Sequence, residues 1–192
     1  MDIRDAQLEV RTRYVGGFFG QLVSSVLWLA SACLGTWSTP RVAITTLVLG
    51  GFLIFPGTVL LIRVVGGSAR LSAQNSLRFL GMQVAFVLPC SMPLLLPVGR
   101  YHLNWFYPAT MILLGAHYLP FVFLYGMRMF GVLAAALLSG GILIAMFWSA
   151  SFTPGAWYTA AVLLLFAVIG RSVIRSGARE GTARPSPAAH AV

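Results

Sequence analysis

An all-α, polytopic bundle of six transmembrane helices, with both termini cytoplasmic, is what this sequence predicts. Three observations predict it: charge is scarce, the remaining charges are spaced by bilayer-sized gaps, and they fall mostly on one side. Of 192 residues, 58% are hydrophobic and only 9% charged, with a mean hydropathy of +0.86. A soluble domain needs about a quarter of its residues charged to cover its surface. Charge is absent between Arg13 and Arg41, Arg41 and Arg63, Arg78 and Arg100, and Arg100 and Arg128. Each gap approximates the roughly 20 residues that cross a bilayer as a helix. The gap from Arg128 to Arg171 is twice as long and is divided by Ser151-Phe152-Thr153-Pro154-Gly155, giving two more spans.

The net charge of +9 comes from arginine alone, opposed by Asp2, Asp5, Glu9 and Glu180. Nucleic-acid binding gathers basic residues on a soluble face, whereas these sit at span ends, so no nucleic-acid partner is expected. Arg4, Arg11, Arg13, Arg63, Arg70, Arg78, Arg128, Arg171, Arg175, Arg179 and Arg184 fall on one side, and only Arg41 and Arg100 on the other. That bias orients the chain in an inner (plasma) membrane with both ends in the cytoplasm.

Taken in order, residues 1–13 form a cytoplasmic amphipathic segment with Ile3, Leu8 and Val10 expected toward lipid. The transmembrane domain covers 14–174, with spans at 14–37, 41–62, 80–99, 105–126, 129–149 and 155–174. In the first, Gly16 and Gly20 have the small-residue spacing that lets helix backbones approach, and Gln21 and Ser24 share one face that could line a polar cavity. Ala30-Ser31-Ala32-Cys33 imitates a lipoprotein cleavage site, but the acids before it and the polytopic chain after it predict a retained span. The second, fourth and sixth spans begin at Ser38-Thr39-Pro40, Phe106-Tyr107-Pro108 and Phe152-Thr153-Pro154, where proline suits a first helical turn. Gly50-Gly51 and Phe55-Pro56-Gly57 interrupt the second span, and Pro89, Pro93 and Pro97 the third; such breaks sometimes mark a transporter's site.

Gln83 opens the third span near its cytoplasmic end. In the fourth, Tyr107, Thr110 and His117 share a face, and His117 lies roughly 13 Å from the cytoplasmic end at about 1.5 Å per residue. An ionisable group at that depth faces the bundle interior; it either packs there as a neutral imidazole or contacts a ligand. Tyr101, His102, Asn104, Trp105 and Tyr107 crowd the outer end as interfacial anchors or a binding lip. Ser139, in the fifth span, falls near the depth of His117. The pair resembles the dyad of rhomboid-type intramembrane proteases, although the order is reversed and Leu137 stands where a glycine is expected. Ser139-Gly140-Gly141 also suits helix packing. Residues 175–192 read as a disordered cytoplasmic tail.

Absences narrow the function. No Asp or Glu lies in a span, so the carboxylate relay of ion-coupled transport has no carrier. Cys33 and Cys90 fall inside spans, which argues against a disulfide framework. With His117 they show no metal-ligand spacing, and no cofactor is expected.

The stretches YVGGFFGQLVSSVLWLASA and GAHYLPFVFLYGM resemble a family of small bacterial polytopic integral membrane proteins with no assigned activity. The resemblance implies that the Gly-Gln-Ser face of the first span and the His-Tyr-Leu-Pro segment of the fourth belong to one feature. Three functions follow. The leading expectation is binding or facilitated movement of a small neutral or weakly polar ligand through a cavity near spans one, three and four, lined by His117, Gln21, Gln83, Ser24, Thr110 and Tyr107. The alternative is a noncatalytic membrane subunit that docks a partner or forms a homo-oligomer. The third is a serine hydrolase using Ser139 and His117.

Overall fold

The computed structural model describes the backbone of residues 1–183 and the side chains of residues 1–173. Its helices are α1 (Ile3–Arg13), α2 (Phe18–Trp37), α3 (Pro40–Gly51), α4 (Ile54–Val64), α5 (Leu77–Ser91), α6 (Leu95–Tyr101), α7 (Phe106–Tyr125), α8 (Met129–Phe147) and α9 (Pro154–Ala183). Among the described residues there is no strand. An apolar solvent leaves strand edges unpaired, whereas a helix satisfies its own backbone. Five continuous segments are long and apolar enough to cross a membrane: Val15–Trp37, Leu77–Tyr101, Leu103–Tyr125, Met129–Phe147 and Pro154–Val173. The pair α3 and α4, bent by 58°, makes a sixth if it counts as one span.

The breaks have local causes. Val15, Gly16 and Gly17 all take positive φ, at 50°, 60° and 83°, which turns the chain sharply from α1 into α2. Two glycines accept this without cost, while Val15, β-branched, is strained there. At the start of α3, Pro40 occupies the first turn and the Thr39 hydroxyl accepts from the Val42 amide at 3.4 Å. Pro89 and Pro93 close α5 in a 3₁₀ turn, Met92–Leu94, before α6 resumes. Proline's missing amide hydrogen removes the bond that would continue the helix.

Four helices build the core. α2 and α9 run antiparallel: Gly170 abuts the Gly16 carbonyl, Ser25 Oγ donates to Ala160 O at 2.9 Å, and Gly35 packs on Phe152 and Thr153. α7 and α8 also pair closely, because Gly115 lies on Ala134 O and Gly141 on Pro108 O. A Cβ at either glycine would fall within 3.0 Å of that backbone oxygen. Such close approach is how spans associate when lipid removes the hydrophobic drive between them. Tyr107, Met111, Phe130, Leu133, Leu137 and Leu163 fill the centre, each at most 1% exposed.

Two helical pairs flank this core. α3 and α4 follow α2 along its whole length: Ala43 at Ser31, Gly50 at Leu27, Gly57 at Val23, Thr58 at Gly20 and Ile62 beside Phe18 and Phe19. α5 and α6 follow α7 instead, with Gly81 at Leu124 and Gly99 at Phe106.

α1 lies across one end of the bundle. Gln7 Nε2 donates to Phe123 O at 2.6 Å, and Arg11 donates to Tyr125 O at 3.1 Å and Gly126 O at 3.3 Å. These carbonyls lie at a helix C-terminus, where carbonyls lack their usual intrahelical partners; Phe123 O also accepts from Gly126 N at 3.2 Å. Ile3 and Leu8 are exposed as the sequence predicts, but Val10 is 1% exposed and packs into the core with Ala6. The lipid-facing expectation for Val10 is therefore corrected. At the other end of the chain, α9 continues past residue 174 to Ala183, and positions 184–192 of the expected tail lie outside the described residues.

Candidate functional site

The inward face of α2 is unusually polar. Gln21, Ser24, Ser25 and Ser31 are all buried, with Trp28 among them. Intervals of three and four residues place them on one stripe. Ser25 is tied to α9, as described. Ser31 Oγ donates to Ala43 O at 2.9 Å and shares a 2.7 Å hydrogen bond with the Tyr107 phenol, whose ring also packs on Trp28 and Phe152. One serine thus joins α2, α3 and α7. Sequence reasoning missed Ser31, although its position seven residues after Ser24 was the signal for it.

Gln21 is different. It is 2% exposed, and neither its Oε1 nor its Nε2 has a hydrogen-bond partner. A buried polar group left unpaired costs about 1–3 kcal/mol. Gly17, one turn earlier, faces Phe130 and the Tyr125 ring, and Tyr118 stacks on Phe130. The Tyr125 ring packs on Phe121 and Phe130. The first and fourth spans therefore do approach one another, but through tyrosines and Phe130, with His117 turned elsewhere.

His117 is half-buried and points toward α5, where the Val84 carbonyl faces the imidazole. Its Nδ1 is buried without a hydrogen-bond partner, and its ring meets Tyr118 and Phe121 edge-on. Thr110 is buried and returns its hydroxyl to Phe106 O at 2.7 Å. Ser24 is buried on the α2 stripe.

Gln83 corrects the expected cavity. It is exposed on α5, about 100° around the helix from the buried Val84, so the six predicted residues do not line one chamber. Its depth follows from counting along the chain, but its direction does not, because apolar residues surround it on every side of α5. The serine–histidine dyad is also not assembled. Ser139 is exposed, its hydroxyl bonded within α8 to Ala135 O at 2.7 Å, whereas His117 faces α5. Gly115 is the α7 residue that meets α8, and two helical residues further on is about 200° around the axis. Gly140 and Gly141 pack helices, as the alternative reading expected.

Among the described residues no group of three metal-ligating side chains occurs, and Cys33 and Cys90 are free thiols. A shallow cavity of about 220 Å³ opens at the end of the bundle remote from α1, lined by His102, Leu103, Asn104, Trp105 and Ser149. Asn104 Nδ2 donates to Ser149 O at 2.9 Å and closes its floor. At the opposite end Glu9 holds the loop before α5: it accepts from Ser72 N at 2.7 Å, Ser72 Oγ at 2.9 Å and Asn75 Nδ2 at 2.8 Å. The Asn75 and Ser72 donors hold the Glu9 carboxyl below its usual range.

Residues 3–171 match the model of a family of unknown function (DUF7010), and the chain belongs to that family. No curated protein and no solved structure matches it.

Proposed function

We propose that this family member is a noncatalytic integral membrane subunit that docks a protein partner within the bilayer through its third span. One observation carries the reading. Only 11% of the apolar window of Leu77–Tyr101 is buried by the rest of the chain, against 39–44% in the four other continuous spans. This weakly covered span is also interrupted at Pro89 and Pro93. Pro89 cannot donate to the carbonyl four residues earlier, at Ala85, and interrupted backbone at membrane depth is tolerated where protein or water covers it.

In this reading the chain crosses a bacterial inner membrane six times, α3 and α4 forming one bent span, with both termini cytoplasmic. The course of α3 and α4 beside the full length of α2 supports a crossing rather than a re-entrant loop. Arginine placement supports the orientation. A fluorescent protein fused at the C-terminus is expected to be bright and a fused alkaline phosphatase inactive; the reverse pattern overturns the orientation.

The docking itself is tested by placing a benzophenone amino acid at Phe86, which is 60% exposed on α5. Irradiation of intact membranes is expected to give a protein adduct. Adducts with lipid alone sink the reading.

A second reading, binding or movement of a small neutral molecule, is favoured by Gln21. Its unpaired carboxamide offers both a donor and an acceptor inside the bundle. The purified protein is then expected to carry a small molecule, visible by mass spectrometry and lost in Gln21→Leu. Equal recovery from both proteins removes this reading.

A further inference from the structure

We infer that the partner of the third span is a second copy of this chain, docked through the stripe Phe79, Gln83, Phe86 and Cys90 of α5. The inference rests on the proposed docking role of that span.

Positions 79, 83, 86 and 90 recur at helical spacing and form one face. All four are exposed, while Leu77 and Val84 on the opposite side are buried against the chain. Gln83 makes no hydrogen bond to any described residue and lies five residues beyond Arg78, about 7.5 Å along the helix. Lipid tails offer that amide neither donor nor acceptor. An amide without a partner in hydrocarbon costs several kcal/mol.

What covers Gln83 must therefore both donate and accept. A carboxamide is its own complement: across a two-fold axis each Gln83 donates its Nε2–H to the Oε1 of the other. Phe79 and Phe86, one turn on either side, supply matching apolar contact. Cys90, small and on the same face, lets the backbones converge. The stripe carries no charge that a second copy would have to bury. Arg78, beside it, lies at the start of the helix with its guanidinium 4.5 Å from the Phe79 ring centre.

The test uses the full chain in its native membrane. With Cys33→Ala, Cys90 is the single thiol, and molecular iodine oxidises two thiols to a disulfide as it is reduced to iodide. A species of twice 20.7 kDa is expected. Moving the single cysteine to Phe79→Cys or Phe86→Cys, with Cys90→Ala, is expected to give the same product. Leu143→Cys on exposed α8 is expected to remain monomeric. Gln83→Leu is expected to lower crosslinking at Cys90 at least several-fold, and Gln83→Asn to retain part of it. Monomer at every stripe position, or equal crosslinking at Leu143, overturns the inference. If benzophenone at Phe86 then captures a different protein, the docking reading stands without the second copy. If it captures only lipid, both fail.

Discussion

The Ser31 hydroxyl and the Tyr107 phenol share a buried 2.7 Å hydrogen bond beside the first turn of α7, and Ser31 also donates to the backbone of α3 at Ala43. A hydroxyl cannot give one proton to two acceptors. With Ser31 committed to Ala43 O, the phenol donates, and Ser31 accepts. Three helices are thus tied by one directed chain of hydrogen bonds. Tyr107→Phe removes the donor while keeping the ring against Trp28 and Phe152. The expected loss is about 0.6 kcal/mol, and at most about 1.7, the range for interhelical hydrogen bonds in membranes. Equilibrium unfolding in mixed micelles measures it, and a double-mutant cycle with Ser31→Ala is expected to show that the two losses do not add.

Gln21→Leu is expected to stabilise the purified, ligand-free protein. It replaces an unpaired buried carboxamide by an apolar side chain of similar size and relieves about 1–3 kcal/mol. A higher midpoint in the same unfolding measurement supports this account. A lower one means that the amide is already satisfied in solution by a bound molecule or water.

Gly126 ends α7 at φ 61°, and a Cβ there would stand 2.7 Å from Gln7 Oε1 and 3.0 Å from Arg11 Nη2. Gly126→Ala therefore carries two penalties. The left-handed conformation costs an L-residue about 1–2 kcal/mol, and the two α1 side chains that cap α7 must move. The expected signature is faster proteolysis of α1 together with a lower midpoint. A variant as resistant as the parent counts against α1 as a clamp.

Docking of α1 is expected to weaken in acid. The Asn75 and Ser72 donors favour the charged form of Glu9, so its folded-state pKa lies below the ordinary 4.5. The bonds therefore contribute fully above the ordinary value and are lost as pH falls through the lower, folded one. Hydrogen exchange of the α1 amides, followed from pH 7 to pH 3, is expected to accelerate at the acidic end. In Glu9→Gln this pH dependence is expected to vanish beyond that of intrinsic exchange.

The helical class was legible in the sequence, and so were the long apolar segments, five of them continuous and one a bent pair. Each depends on properties that a stretch of chain carries by itself: an apolar run is stable in hydrocarbon, arginine is costly there, and Pro40 with Thr39 starts a helix from local geometry alone. The packing of Gly140 and Gly141 was legible for the same reason, since only small residues permit that approach. The interruption of the second and third spans was legible too, from their glycines and prolines.

Direction was decided by tertiary structure. In a span that is apolar on every side, periodicity does not separate the face toward lipid from the face toward protein. Gln21 and Gln83, alike in kind and both expected in the cytoplasmic half of their spans, end on opposite sides of that division: one sealed among helices without a partner, the other exposed on the least covered span. The same ambiguity paired Ser139 with His117 and hid Ser31, whereas Val10 is turned inward because α1 docks on the end of α7. A residue's depth follows from counting along its own helix, but its partners follow from how that helix is rotated against the others, and that is fixed by contacts far away in the chain.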